Sequence, residues 1–303
     1  MLPEGATERQ RVERAGFGDD GPVDDYELID VGDGARLERF GEHVADRPNA
    51  GALAPRRAPE RWDEADLRFD RDGGWTSRDG SPVGPWTVRI AGLTLELRPT
   101  DAGQVGLFPE HLLTLDWLAA RIGSRIGAGA DQPDVLHLFA YTGLATLSMA
   151  RDGAAVAHLD SSRPAVAWAR ENARLSDLTD RPIRWLVDDA RDFVAREARR
   201  ERRYDGIVLD PPSYGHGAKG SRRWEVGADL RPLLAMCARI LADDGFLLVT
   251  AHSEEFGPDG LERAVRDACG PVAGAVETGE LALTAAAGGR SVLGAYARWD
   301  RAR

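Results

Sequence analysis

Lysine and cysteine are nearly missing from this chain. Lys219 is the one lysine among 39 basic residues, a bias that reflects genome composition rather than mechanism. Two cysteines, Cys237 and Cys269, are too few for a disulfide framework, and neither belongs to a C-x-x-C pair, so a reduced, cytoplasmic setting is expected. The six histidines, His43, His111, His137, His158, His216 and His252, show no metal-ligand spacing with each other or with the cysteines, and no metal is expected. No apolar run approaches the roughly 20 residues of a membrane-spanning helix, which argues against a membrane partner. The first 25 residues lack the apolar stretch of a signal peptide, which argues against export. Positive charge is also in deficit: the net charge of −11 means that a polyanion would have to be met locally rather than by long-range attraction.

What remains is the profile of a globular protein, with 43% hydrophobic and 29% charged residues over 303 positions. Residues 1–24 are polar and aperiodic and read as a disordered tail. Residues 25–100 read as a small β-rich module. Gly32-Asp33-Gly34 separates two short extended runs, and Ala91-Gly92 separates the alternating sets Trp86, Val88, Ile90 and Leu93, Leu95, Leu97. A short helix is expected near Trp62–Phe69.

From residue 101 onward strands and helices alternate. Leu112, Leu115, Leu118 and Ile122 fall at helical spacing. Strands are expected at Val135–Phe139, Val156–Leu159, Ile183–Leu186, Gly206–Leu209 and Phe246–Thr250, with a helix between each pair. Two last extended runs, Val272–Glu277 and Val292–Trp299, close the chain, with "GELALTAAAGGR" between them read as a loop. The expected fold is α/β: a Rossmann-like, mostly parallel sheet with helices on both faces and a terminal antiparallel hairpin, preceded by the β-rich module.

In such sheets ligands bind at the carboxyl ends of the strands. The turn after the first strand, Phe139-Ala140-Tyr141-Thr142-Gly143, lacks the G-x-G-x-x-G that a dinucleotide pyrophosphate needs, and so suits a nucleoside without phosphates. Asp160 closes the second strand 17 positions after Gly143, near the spacing at which an acid takes ribose hydroxyls; the plainer role is a charge at the helix start capped by Ser161 or Ser162. After the third strand come Asp188 and Asp189. Asp189 is suited to accept from an adenine amino group, or merely to cap the next helix. After the fourth comes "LDPPSY", in which Asp210 leads two prolines and an aromatic. Three acids on one edge suit a cationic nucleoside, and S-adenosylmethionine is such a ligand.

Together, "FAYTG", the "LD" of residues 159–160, the "DDA" of residues 188–190 and "LDPPSY" resemble the class I S-adenosylmethionine-dependent methyltransferases, and among them the bacterial ribosomal-RNA large-subunit group. "VGLFPEH" at residues 105–111 resembles the segment that precedes the catalytic domain there. The likeness spans about residues 100–300. It implies cofactor contacts by Phe108, Phe139, Tyr141, Thr142, Gly143, Asp160, Asp189 and Asp210. It also implies that Asp210 and the Pro211 carbonyl accept hydrogens from an amino group of a target base while Tyr214 stacks on that base. Proline-fixed torsions would hold these acceptors in place beforehand, although Asp-Pro-Pro also serves as a rigid strand stop.

Pro212, Ser213, Lys219, Arg222 and Arg223 surround this notch and are expected to meet an RNA substrate, with Trp224 adding a stacking face. A solvated loop is the plainer alternative. Carbon-methylating members of the group use a cysteine nucleophile, in one branch placed just after the fifth strand, where this chain has Thr250-Ala251-His252-Ser253. Cys237 falls on an apolar helix face, so attack at a nitrogen without a cysteine adduct is expected. His252 is either a base or a satisfied polar residue at a strand end. The competing classes are a methyltransferase of a small molecule or protein, and a nucleoside-binding scaffold without activity.

Overall fold

The computed structural model describes residues 24–215, 222–270 and 275–300. The tail expected at residues 1–24 therefore lies outside it except for Asp24. The chain opens with β1 (Tyr26–Gly32), β2 (Ala35–Phe40), β3 (His43–Pro48), β4 (Leu67–Asp70) and β5 (Gly74–Ser77), which form one sheet in that order. Asp33 and Gly34 turn β1 into β2 with positive φ, the turn chemistry that a two-residue hairpin requires. The short helix expected at Trp62–Phe69 is instead a 3-10 turn at Pro59–Glu64 followed by β4. Leu67 is drawn into the sheet because it pairs with Ala45 of β3 and is buried there.

A second hairpin, β6 (Trp86–Ile90) and β7 (Leu93–Leu97), turns at Ala91-Gly92 as the alternation predicts. It packs on the helical unit that follows. That unit contains α1 (Leu112–Gly127), β8 (Asp134–Leu138), α2 (Leu144–Arg151), β9 (Ala155–Asp160), α3 (Arg163–Leu175), β10 (Ile183–Val187), α4 (Ala190–Arg199) and β11 (Tyr204–Leu209). The pair β12 (Tyr214–Gly215) and β13 (Trp224–Glu225) flanks the undescribed residues 216–221, before α5 (Val226–Ile240), β14 (Leu241–Ala251), α6 (Pro258–Cys269), β15 (Val276–Thr284) and β16 (Arg290–Asp300).

Seven strands make the main sheet in the order β10-β9-β8-β11-β14-β16-β15. The first five are parallel and the last two join antiparallel. Alternate residues of each strand supply two cores. Leu136, Leu138, Leu159, Leu209 and Val249 pack with α4, α5 and α6, while Val135, Val156, Val208 and Leu248 pack with α1, α2 and the β6–β7 hairpin. The expected loop "GELALTAAAGGR" is wrong in its first half: Gly279–Thr284 continues β15, with Leu281 fully buried against β16. No helix among the described residues is long and apolar enough to cross a membrane.

Candidate active site at the carboxyl edge of the sheet

The turn after β8 is held in an unusual backbone shape. Phe139 (φ +55°), Tyr141 (φ +47°) and Gly143 (φ +92°) all have left-handed torsions, which cost a non-glycine residue roughly 1–3 kcal/mol and must be held by their surroundings. Asp160 supplies one restraint. Its Oδ2 accepts from the Tyr141 amide at 2.9 Å and its Oδ1 from the Ser162 amide at 2.8 Å. Burial pushes the Asp160 carboxyl above its ordinary range, against the pull of these two amides. Ser162 caps α3 by accepting from the Ala165 amide, as its sequence position suggests.

A second restraint comes from below. The Thr142 hydroxyl donates to the Gly106 carbonyl at 2.6 Å, and Asn172 Nδ2 donates to the Thr142 carbonyl at 2.9 Å. Asn172 Oδ1 accepts from the Glu96 amide of β7 at 2.8 Å, so one buried amide fastens both the turn and the hairpin. Gly106 itself is obligatory: it has φ +92°, and a Cβ there would stand 2.3 Å from the Trp168 ring.

Beyond Phe139 lies a small hollow of about 40 Å³ lined by Phe139, Leu159, Ser161, Asp188, Asp189 and Trp224, among others. Asp189 caps α4, and both of its oxygens are engaged by Arg191: Oδ1 accepts from the Arg191 amide at 2.9 Å, and Oδ2 from Nη2 at 2.7 Å. Trp224, expected to offer a stacking face, is 4% exposed. Its ring packs 4.8 Å from that of Phe139, and its Nε1–H donates to the Pro212 carbonyl at 2.7 Å. It is part of the wall because the β12–β13 pair folds it inward.

On the other side of Phe139 a small hollow of about 30 Å³ is bordered by Phe108, His111, Tyr141, Gly143 and Asp210. Asp210 stands at the tip of β11. Its Oδ1 accepts from the Thr250 hydroxyl at 2.5 Å and lies 3.2 Å from His252 Nε2; its Oδ2 lies 3.4 Å from His111 Nε2. Burial opposes ionisation here, yet the two imidazoles and the Thr250 hydroxyl hold the Asp210 carboxyl far below the usual range. Burial likewise works against a charged His252, but the Asp210 carboxylate overrides it and raises that imidazole to about 9. His252 Nδ1 donates to the Leu293 carbonyl at 2.8 Å, which fixes the ring. His111 and His252 stack at 5.6 Å between centroids, with Phe108 against both.

Pro211 is buried behind Asp210, and the Ser213 hydroxyl donates to the His252 carbonyl at 3.2 Å. Tyr214 turns outward and is 68% exposed. Arg223 sits 5.8 Å from the Tyr214 ring centre, and Arg222 pairs with Asp229. Lys219 lies outside the described residues. Cys237 is buried among Leu230, Leu233 and Leu234, and burial pushes its thiol strongly upward. The strand-tip acids Asp160, Asp189 and Asp210 thus follow β9, β10 and β11 at one edge of the sheet, with β8 between β9 and β11. The convergence of His111, Glu110 and Thr250 on Asp210 and His252 was not visible in the sequence; "PEH" and "TAH" sit on separate elements, and no spacing relates them.

The S-adenosylmethionine-dependent methyltransferase family model matches residues 49–280. A solved SAM-dependent methyltransferase from Agrobacterium tumefaciens is 34% identical, superposes with a TM-score of 0.85 and aligns over 91% of this chain and 90% of its own. A Streptococcus mutans structure described as a SAM-dependent methyltransferase shares the fold, at 16% identity and a TM-score of 0.73 over 93% of this chain and 76% of its own. Ribosomal RNA large subunit methyltransferase K/L of Shewanella amazonensis is 30% identical over 169 residues, 55% of this chain; the match spans only 22% of that protein. On the extent of the family match and the near-complete correspondence with the Agrobacterium enzyme, the chain belongs to the S-adenosylmethionine-dependent methyltransferases.

Proposed function

We propose that this enzyme methylates a nitrogen of a base in ribosomal RNA, without a cysteine nucleophile. The observation that carries the reading is the notch at β11: a half-buried Asp210 whose carboxyl is held far below its ordinary range, a proline-framed backbone, and the exposed ring of Tyr214 four residues on. S-adenosylmethionine, when bound, supplies an electrophilic methyl on a positively charged sulfur.

The residues present suit that group. Each oxygen of Asp160 accepts one backbone N–H and keeps acceptor capacity for a ribose hydroxyl. A Cβ at Gly143 would come within 3.1 Å of Ala169, so the turn is packed closely and needs glycine to keep its shape. Phe108, Phe139, Tyr141, Thr142, Gly143, Asp160, Asp189 and Asp210 are the residues we assign to holding it. Because Arg191 already engages both oxygens of Asp189, that residue would serve mainly by fixing the wall beside an adenine.

Asp210 and the Pro211 carbonyl would orient an amino group, Tyr214 would stack on the base, and Pro212 and Ser213 would hold the frame. Positioning of this kind gains far more for an in-line transfer than proton removal does. Arg222, Arg223 and Lys219 would meet backbone phosphates, which is how a chain of net charge −11 can still engage RNA locally. The ribosomal substrate is supported by the named activity of the Shewanella relative, of which this chain matches a minor part. We further read residues 25–100 as a module ahead of the catalytic unit at 101–303.

Mass spectrometry of ribosomal RNA from a strain lacking the gene tests the reading. One methylated base, lost in that strain and restored by this chain, is the expected result. An unchanged RNA methylation profile would turn the search to small molecules and proteins. Cofactor binding without transfer to any of these would favour a scaffold.

A further inference from the structure

We propose that His111, Asp210 and His252 form a binding site for one divalent transition-metal ion of the zinc class, open toward the hollow beside Phe108 and Tyr141. The three donor atoms come from three rigid places: the start of α1, the tip of β11 and the end of β14. The two imidazole donors, His111 Nε2 and His252 Nε2, are 3.4 Å apart, and each faces a different oxygen of Asp210: His111 Nε2 lies 3.4 Å from Oδ2 and His252 Nε2 3.2 Å from Oδ1. Metal–ligand arms of about 2.1 Å put two tetrahedral donors about 3.4 Å apart, which the imidazole pair matches, and one Asp210 oxygen within 4.8 Å of both ring nitrogens completes the set.

The surroundings are those of a ligand set. The Leu293 carbonyl accepts from His252 Nδ1 at 2.8 Å, which leaves Nε2 as the donor facing Asp210 and His111. The Thr250 hydroxyl orients Asp210 in the same outer-shell manner. Charge balances as well: Glu110 is 3% exposed, lies 3.9 Å from His252 Nδ1 and has a buried Oε2 without a hydrogen-bond partner, so Asp210 and Glu110 together offer two negative charges to a dication. Arg36 also faces Glu110, but stands 3.1 Å from its own carboxylate, Glu38. The side chains of the three ligands are 16%, 19% and 24% exposed, enough to leave a fourth position for an exchangeable ligand. Two imidazoles and one carboxylate favour zinc, cobalt or ferrous iron over magnesium or calcium.

The site does not rest on the RNA reading, because binding can be measured without a methyl acceptor. The full-length enzyme, stripped with a chelator, is titrated with Co²⁺ and Zn²⁺, following cobalt absorbance and heat. The expected result is one equivalent of Co²⁺ with the intense visible bands of four-coordinate cobalt, displaced by Zn²⁺. His111→Gln and His252→Gln should each weaken the binding by more than about 100-fold, beyond the 10- to 100-fold that loss of an outer-shell partner costs. Their thermal midpoints and affinity for S-adenosylmethionine report that they fold. His43→Gln, at the distant pair that His43 forms with Asp66 on β3, should leave binding unchanged. If no saturable cobalt signal appears, or if both site variants bind like the parent, the triangle is held by shared protons alone and the proposal is overturned.

Discussion

Two carboxylate clusters of this molecule, one around Glu38 and one around Asp210, differ in their surroundings, and of the two only the second borders a hollow beside the turn at residues 139–143. In the β-rich module Glu38 is 0% exposed and receives Arg47 twice, through Nε at 2.8 Å and Nη2 at 2.5 Å, as well as the Tyr26 hydroxyl at 3.0 Å; Arg36 stands 3.1 Å away. Arg47 spends its remaining reach on the Gly103 carbonyl and the Gln104 side chain. At the sheet edge Asp210 is equally well held by Thr250, His252 and His111, yet its side chain is 19% exposed and borders a hollow. Both carboxylates are pulled below their ordinary range against the cost of burial, by arginines in one case and imidazoles in the other. A perturbed acid therefore does not by itself mark a site. What separates the two is where the fold leaves acceptor capacity facing space.

The comparison breaks if the module's cluster proves catalytic. Glu38→Gln should cost about 3–5 kcal/mol of stability in a denaturant titration, the penalty for stranding buried arginines, while S-adenosylmethionine affinity of the folded fraction stays within about twofold. Asp210→Asn should do the opposite. Methyl transfer should fall by about 10²–10³, the scale of losing one preorganised acceptor in a closed site, with a smaller loss of stability. A folded Glu38→Gln enzyme that binds cofactor but has lost turnover, or an active Asp210→Asn enzyme, would erase the distinction.

Much of the edge was legible from residues alone. The hydrophobic runs fixed five parallel strands, and their tips gave Asp160, Asp189 and Asp210 by position. The turn at Asp33-Gly34 and that at Ala91-Gly92 follow from local chemistry. What escaped was long-range. The stretch 67–69 reads as the end of a helix until β3 is there to pair with it, and Leu281 reads as loop because small neighbours hide its alternation until β16 covers it. His111 and His252 are 141 residues apart and meet only because α1 begins over the end of β14. Trp224 keeps basic company in the sequence, but its ring goes to Phe139.

Tyr214 sharpens the comparison from the substrate side. A base stacked on an exposed ring gains about 1–3 kcal/mol, so Tyr214→Ala should raise KM for RNA roughly 10- to 100-fold. Cofactor affinity measured by calorimetry should not change. Equal loss of both would mean that the ring belongs to the cofactor pocket.

The smallest effect concerns a third buried cluster, which avoids charge instead of compensating it. Behind the turn, the Thr146 hydroxyl lies 2.7 Å from His137 Nδ1 and 2.9 Å from His158 Nδ1 and bridges the two rings. Burial pushes His137 down to about 3 and His158 well below its ordinary value, so both rings are neutral in the folded enzyme. In the unfolded chain they take up protons near pH 6.5, so between that value and about 3 the unfolded state binds more protons. Stability from the pair is complete above about pH 6.5 and is lost as pH falls, at up to about 1.4 kcal/mol per pH unit for each ring. Urea titrations at steps between pH 7 and pH 5 should show this slope, and His158→Gln should reduce it by up to one ring's share relative to the parent. If the slope is unchanged in the variant, the acid sensitivity belongs to the compensated clusters, and burial without a counter-charge has no separate signature in this fold.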